Sequence, residues 1–255
     1  MSEPVLPVLI IIILGLAVGS FLNVCIYRIP AGESIIAPRS HCPSCNSNLR
    51  PGDMIPVVSY MLLKGKCRYC GDAIHYRYTV VELLTAIFFV FLFFRFGMGI
   101  TLLKYAFATS ILLIVTFIDL DHLIIPNRVV LAGLAGAALF LPLTGEFTAL
   151  NALYGILSAS GFLLLLNLIS RGGMGMGDVK LAAFMGLLLG WPMALLAVFY
   201  AGFLGAIAGI ALIITRRKKR KDPIPFGPFL AAGTFISFMW GRDIISAYMN
   251  YILRP

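Results

Sequence analysis

The chain has 255 residues, of which 60% are hydrophobic and only 12% charged, with a net charge of +9. That balance excludes an ordinary soluble domain. Without aromatic–basic interleaving, the positive charge points to basic residues gathered in cytoplasmic loops rather than to nucleic acid.

A bilayer-spanning helix needs roughly 20 apolar residues, and eight apolar segments approach that length. The first covers about 5–27 and reads as a retained helix, because Met1-Ser2-Glu3-Pro4 lacks a basic region and a cleavage site. A polar stretch follows over about 28–78. The second and third segments cover about 79–96 and 100–118. The fourth opens at Pro126, a residue suited to a first helical turn, and runs to about 143. The fifth covers about 148–170. The sixth, about 179–190, is short and ends at the break Trp191-Pro192. The seventh reaches about 215, where the basic run Arg216–Lys221 begins. The eighth ends near Tyr251. The predicted fold is thus an all-α polytopic membrane protein of about eight transmembrane helices with a cytoplasmic zinc-binding loop domain.

With the N-terminus outside, the loops after the odd-numbered segments hold roughly 16 of the 20 basic residues. The polar stretch, both acidic sites described below and the basic run then face the cytoplasm. The basic run itself reads as a stop-transfer anchor that also attracts anionic headgroups. No internal repeat of the kind transporters carry is visible.

Within the polar stretch, Cys42-Pro43-Ser44-Cys45 and Cys67-Arg68-Tyr69-Cys70 form two Cys-x-x-Cys pairs. Their spacing is near that of zinc ribbons, and each pair can place two thiolates on one tetrahedral metal. A redox pair is the alternative, but cytoplasmic thiols stay reduced and no thioredoxin-like strand–helix unit surrounds these. A structural zinc would order a loop too poor in apolar residues to fold alone. His41 and His75 flank a ligand set that four cysteines already complete. Cys25, in the first helix, reads as a packing residue.

Asp119 and Asp121 close the third segment. Asp178 follows Arg171-Gly-Gly-Met-Gly-Met-Gly177 at the start of the sixth. Acids at membrane depth are costly and usually functional. Sequence physics leaves two readings open. Asp178 could be an N-cap, and Asp119 or Asp121 could be interfacial charges, one of them capping the helix near Pro126. Alternatively, two of these carboxyl groups converge and share one proton, as aspartic proteolysis requires. Asp119 and Asp121, two residues apart on one helix, point in different directions, so one of them would face the partner. The glycine segment is not a phosphate loop, since it lacks the Gly-Lys-Ser/Thr ending and no strand precedes it.

Taken in order, these motifs resemble the prepilin peptidase family of type IV pili and type II secretion. The matching residues are Gly19 to Pro30, the two cysteine pairs, Tyr76 to Leu84, Asp119-Leu120-Asp121-His122 through Ile125-Pro126-Asn127, and Gly175-Met176-Gly177-Asp178. The match reaches to about Lys180. The resemblance implies a membrane aspartic peptidase at the bacterial inner membrane. Its acids would be Asp119, seven residues before Pro126, and Asp178, supported by Gly175 and Gly177, with Asp121 as runner-up. It also implies cleavage of basic leaders from prepilins or pseudopilins, then N-methylation of the new terminus with S-adenosylmethionine. Family members without the cysteine loop tend to lack the methyltransferase, so the loop favours the bifunctional form. No Rossmann-like motif for the methyl donor is visible. Asn23, Arg28 and Glu82 are candidates for that site, with an interfacial anchor and inter-helix hydrogen bonds as their plainer roles. Residues 1–98 would form the methyltransferase-associated domain and 99–255 the peptidase domain.

Overall fold

Lipid offers backbone groups no hydrogen-bond partners, so apolar runs of this length must satisfy their N–H and C=O groups internally, as helices. The computed structural model describes residues 5–170, 173–217, 219 and 222–252. Arg171 and Gly172 of the glycine-rich segment, and Lys218, Arg220 and Lys221 of the basic run, lie outside the described residues, as do residues 1–4.

The helices are α1 (Val5–Arg28), α2 (Val58–Leu62), α3 (Arg77–Phe96), α4 (Ile100–His122), α5 (Asn127–Thr144), α6 (Ala149–Ile169), α7 (Met176–Leu189), α8 (Met193–Ile214) and α9 (Gly227–Ile252), with a 3₁₀ turn at Pro51–Met54. Six of them (α1, α3, α4, α5, α6 and α8) are long and apolar enough to cross a membrane. α7 has only 14 residues, and α9 has the length but less apolar character.

Three boundaries differ from the sequence reading. α4 continues through Asp119 and Asp121 and stops at Leu123, whose φ of 55° turns the chain out of the helix. Pro126 stands one position outside α5, as its N-cap, and no side chain of either acid caps that helix. α7 begins at Met176, with Gly175 as N-cap, so Asp178 lies in the first turn and is not the cap. An acid in a first turn faces the unpaired N–H groups there. The break at Trp191-Pro192 stands where the sequence puts it, between α7 and α8.

The chain divides into two compact units, Met1–Leu102 and Leu103–Pro255. In the first, α1 packs along α3. A Cβ on Gly15 would lie 2.5 Å from the Ala86 Cα, and one on Gly19 would lie 2.7 Å from the Glu82 Cα. Gly15-x-x-x-Gly19 is therefore a small-residue seam that lets two apolar helices approach backbone to backbone. Cys25 is buried in α1, the packing role expected of it. In the second unit, α7 packs against α5, α6, α8 and α9. Its Leu181, Ala182, Phe184 and Met185 are fully enclosed, as a helix apolar all round requires. α4 lines the same core through Ile111, Val115 and Ile118.

Far from the acids, Lys104 at the start of α4 is 1% exposed, with its Nζ 3.4 Å from Glu146 Oε2. Tyr105 donates its hydroxyl to the same carboxylate at 2.8 Å, and Arg242 of α9 approaches it at 3.3 Å. Charges this deep stay only when paired.

Candidate active site and metal centre

Asp119 and Asp178 line one cavity of about 250 Å³ in the second unit, together with Leu123, Ile125, Gly175, Gly177 and Lys180. Asp119 comes from the last turn of α4 and Asp178 from the first turn of α7. Both are nearly buried, at 5% and 8% exposure. Two carboxyl groups in one such cavity repel when both are ionised. Asp121 is exposed and lies outside that lining, as the angular offset of two residues on one helix predicts. Lys180 donates to Asn127 Oδ1 at 3.0 Å, joining α7 to α5 within the cavity lining.

The glycines before Asp178 have a local explanation. A Cβ on Gly177 would fall 2.9 Å from the Ile125 Cβ, so only glycine lets the α4–α5 connector lie against the start of α7. A Cβ on Gly175 would stand 3.1 Å from Asp178 Oδ2. These contacts show that the glycines make room for the start of α7 and for the Asp178 carboxyl.

One contact had no signal in the sequence. The Gly227 N–H, at the start of α9, donates to Asp119 Oδ2 at 2.8 Å. The partners are 108 residues apart, and nothing in Pro225-Phe226-Gly227-Pro228 marks a carboxylate partner.

In the first unit, the two cysteine pairs fold alike. The Cys42 amide donates to the Ser47 carbonyl and the Asn46 amide to the Cys42 carbonyl. The Cys67 amide donates to the Asp72 carbonyl and the Gly71 amide to the Cys67 carbonyl. Asn46 and Gly71 both sit at positive φ, 56° and 76°, where their residue types are favoured. The result is two matching knuckles whose four Sγ atoms all lie within 4.8 Å of one another. A tetrahedral zinc–thiolate site would set its sulfur atoms about 3.8 Å apart, and Cys42 and Cys70 are already at 3.9 Å. The donor set fits zinc. Ser47 pulls the Cys45 thiol down to about 6 through hydrogen bonds, and the backbone amides of Cys70 and Tyr69 hold the Cys67 thiol below its usual range. Both effects favour the thiolate that a metal needs. His41 and His75 stand outside the cluster, His41 Nδ1 3.1 Å from the Arg39 carbonyl and His75 Nδ1 accepting from the Arg77 amide.

A second cavity, of about 370 Å³, lies in this unit between α1, α3 and the cysteine loop. Asn23, Arg28 and Glu82 all line it, with Tyr27, Tyr60 and Thr79. Each of the three candidates also holds the wall. Asn23 Nδ2 donates to the Tyr78 carbonyl at 2.9 Å. The Arg28 guanidinium donates to the Ser34 carbonyl at 2.9 Å. Glu82 Oε2 accepts from the Val57 amide at 2.8 Å, and Val57 sits at a φ of 60° that a β-branched residue rarely adopts. The volume falls within the range of small-molecule pockets, with aromatic and carboxylate walls.

Comparison with known proteins agrees along the whole chain. Residues 13–96 match the model of the bacterial peptidase A24 N-terminal domain, and residues 106–210 match that of the type IV leader peptidase family. A Bacillus subtilis protein named prepilin leader peptidase/N-methyltransferase is 39% identical, over 96% of this chain and 98% of its own. Proteins of the same name from Aeromonas salmonicida and Pseudomonas aeruginosa are each 35% identical, over 96% and 98% of this chain and 94% and 96% of theirs. No solved structure matches significantly. With relatives aligned nearly end to end and both family models met in order, this chain belongs to the prepilin leader peptidase family.

Proposed function

We propose that this chain removes the short basic leader from type IV prepilins or type II secretion pseudopilins, and then methylates the new N-terminal residue. The observation that carries the reading is the convergence of Asp119 and Asp178, from two helices, on one cavity. One carboxylate takes a proton from water, and the water oxygen attacks the scissile carbonyl carbon. The other, protonated, gives its proton to the carbonyl oxygen. The carbon–nitrogen bond then breaks. The amine takes the proton held by the first acid, and the hydroxyl proton of the tetrahedral centre returns to the second. Asp119, Asp178, Gly175 and Gly177 make the peptidase site, and Asp121 stands aside.

Methyl transfer belongs to the first unit. Its cavity suits S-adenosylmethionine in volume and in donor set, and this group supplies an electrophilic methyl. Glu82 is the carboxylate that would hold the substrate's terminal ammonium and take up its proton, since it lines the cavity and Asp53 is already paired with the Arg68 guanidinium. Asn23 and Arg28 shape the wall. The four cysteines hold a structural zinc that keeps the loop folded around the cavity. Residues 1–98 thus serve methylation and 99–255 cleavage.

The charge distribution supports eight spans, counting α7 and α9, in the bacterial inner membrane with the N-terminus outside. The acids and the zinc loop are then each cytoplasmic, and the apolar stem of the substrate reaches the acids through lipid. The test is cleavage of a prepilin by the detergent-purified chain. Wild type should cut, while Asp119→Asn and Asp178→Asn should not. Normal cutting by either variant removes that residue from the pair.

A further inference from the structure

We infer that Gly227 is a positioning residue of the peptidase: its amide holds Asp119 in place, and its missing side chain leaves room for the Asp119 carboxyl. The inference rests on the peptidase reading above. Three observations support it. The Gly227 amide donates to Asp119 Oδ2 at 2.8 Å, a bond buried from solvent. A Cβ at this position would stand 2.8 Å from Asp119 Oδ2, 3.2 Å from the Asp119 Cβ and 3.2 Å from Val115 Cγ1. The first two contacts crowd the acid itself; the third crowds a packing neighbour. The segment is also locally stiff. Pro223, Pro225 and Pro228 fix three φ angles around it, and Phe229 and Leu230 close the first turn of α9 on the Phe226 carbonyl. The opening of α9 therefore bears on the site through Asp119, which it backs at the end of α4. An amide donor to a carboxylate favours its charged form and fixes its rotamer. The other titratable groups facing the cavity are Asp178 and Lys180, both from α7.

The experiment measures kcat and KM for prepilin cleavage, the pH–rate profile and the melting temperature of the full chain in detergent. Gly227→Ala should lower kcat at least about 100-fold, since misplacing a reacting group by about an ångström costs that much. Its KM should stay within about threefold, and one limb of the pH–rate profile should move by at least about half a pH unit. Gly233→Ala supplies the comparison, because its Cβ would crowd the Ala197 carbonyl in the α8–α9 seam and not an acid. It should lower the melting temperature and leave the profile in place. Adding Val115→Ala to Gly227→Ala relieves the packing clash but not the clash with Asp119. The double variant should regain thermal stability and remain slow. Three results would overturn the inference: near-normal kcat in Gly227→Ala, recovery of kcat together with stability in the double variant, or failure of both variants to fold, which would make the glycine a packing residue. Wild-type cleavage and its loss in Asp119→Asn are measured alongside, so failure of the peptidase reading is seen separately.

Discussion

The two units build a site in opposite ways. In the second, apolar side chains enclose the acids: α7 is buried along most of its length beyond Lys180, and the carboxyl groups emerge where helices end. In the first, the loop between α1 and α3 has only two buried residues over positions 29–76, and both are thiols, Cys42 and Cys67. An apolar core fixes one site and a four-sulfur cluster fixes the other. Damage to either should therefore leave a distinct signature.

The sharpest way to test that contrast is to remove an acid and follow both reactions. Asp119→Asn or Asp178→Asn should lower leader cleavage at least about a thousandfold. Methylation of an already cleaved pilin should stay near wild type. Loss of both reactions together would erase the division of labour.

The metal comes next. Native protein should contain about one zinc per chain, and Cys42→Ser should lose it, opening residues 29–76 to protease and lowering methylation more than cleavage. Acid should act in the same direction. Protons compete with the metal for all four thiolates, so zinc affinity falls as pH falls. Zinc release followed by a metal indicator should grow as the solution is acidified; retention down to pH 4 would break the scheme.

Two smaller effects refine it. Lys104→Met removes one of the two cations at Glu146 and leaves Arg242 and Tyr105 bonded to it, and should cost about 1 kcal/mol of stability in the second unit, read as a lower melting temperature. The zinc content should not change. Glu82→Gln keeps the bond from the Val57 amide but removes the charge, and should slow methylation about tenfold. A packing role alone for Glu82 would leave methylation untouched.

Much of this was legible in advance because membrane helices announce themselves by apolar length. Among the described residues, the eight α-helices other than α2 fall within a few residues of the expected apolar segments. The errors sit at helix ends, where apolarity stops before the helix does. Asp119 and Asp121 end the hydrophobic run, yet the last turn of α4 carries them without strain. Asp178 looks like a cap because two glycines precede it, but Gly177 is accepted at the second helical position and the cap falls to Gly175. The cysteine knuckles were readable because their spacing is a local property. Gly227 was not, because a bond across 108 residues leaves no periodic trace. The seam at Gly15 and Gly19 likewise shows its meaning only when Glu82 and Ala86 are seen against it.

The cluster around Glu146 has a mechanical corollary for α4. Lys104 and Asp119 lie 15 positions apart on this helix, about 22 Å at 1.5 Å per residue. Pinned at Lys104 by ionic and aromatic contacts and at Asp119 by the Gly227 amide, α4 is a strut fixed at both ends. Room for an incoming polypeptide then has to come from the segments beside α4 rather than from α4 itself.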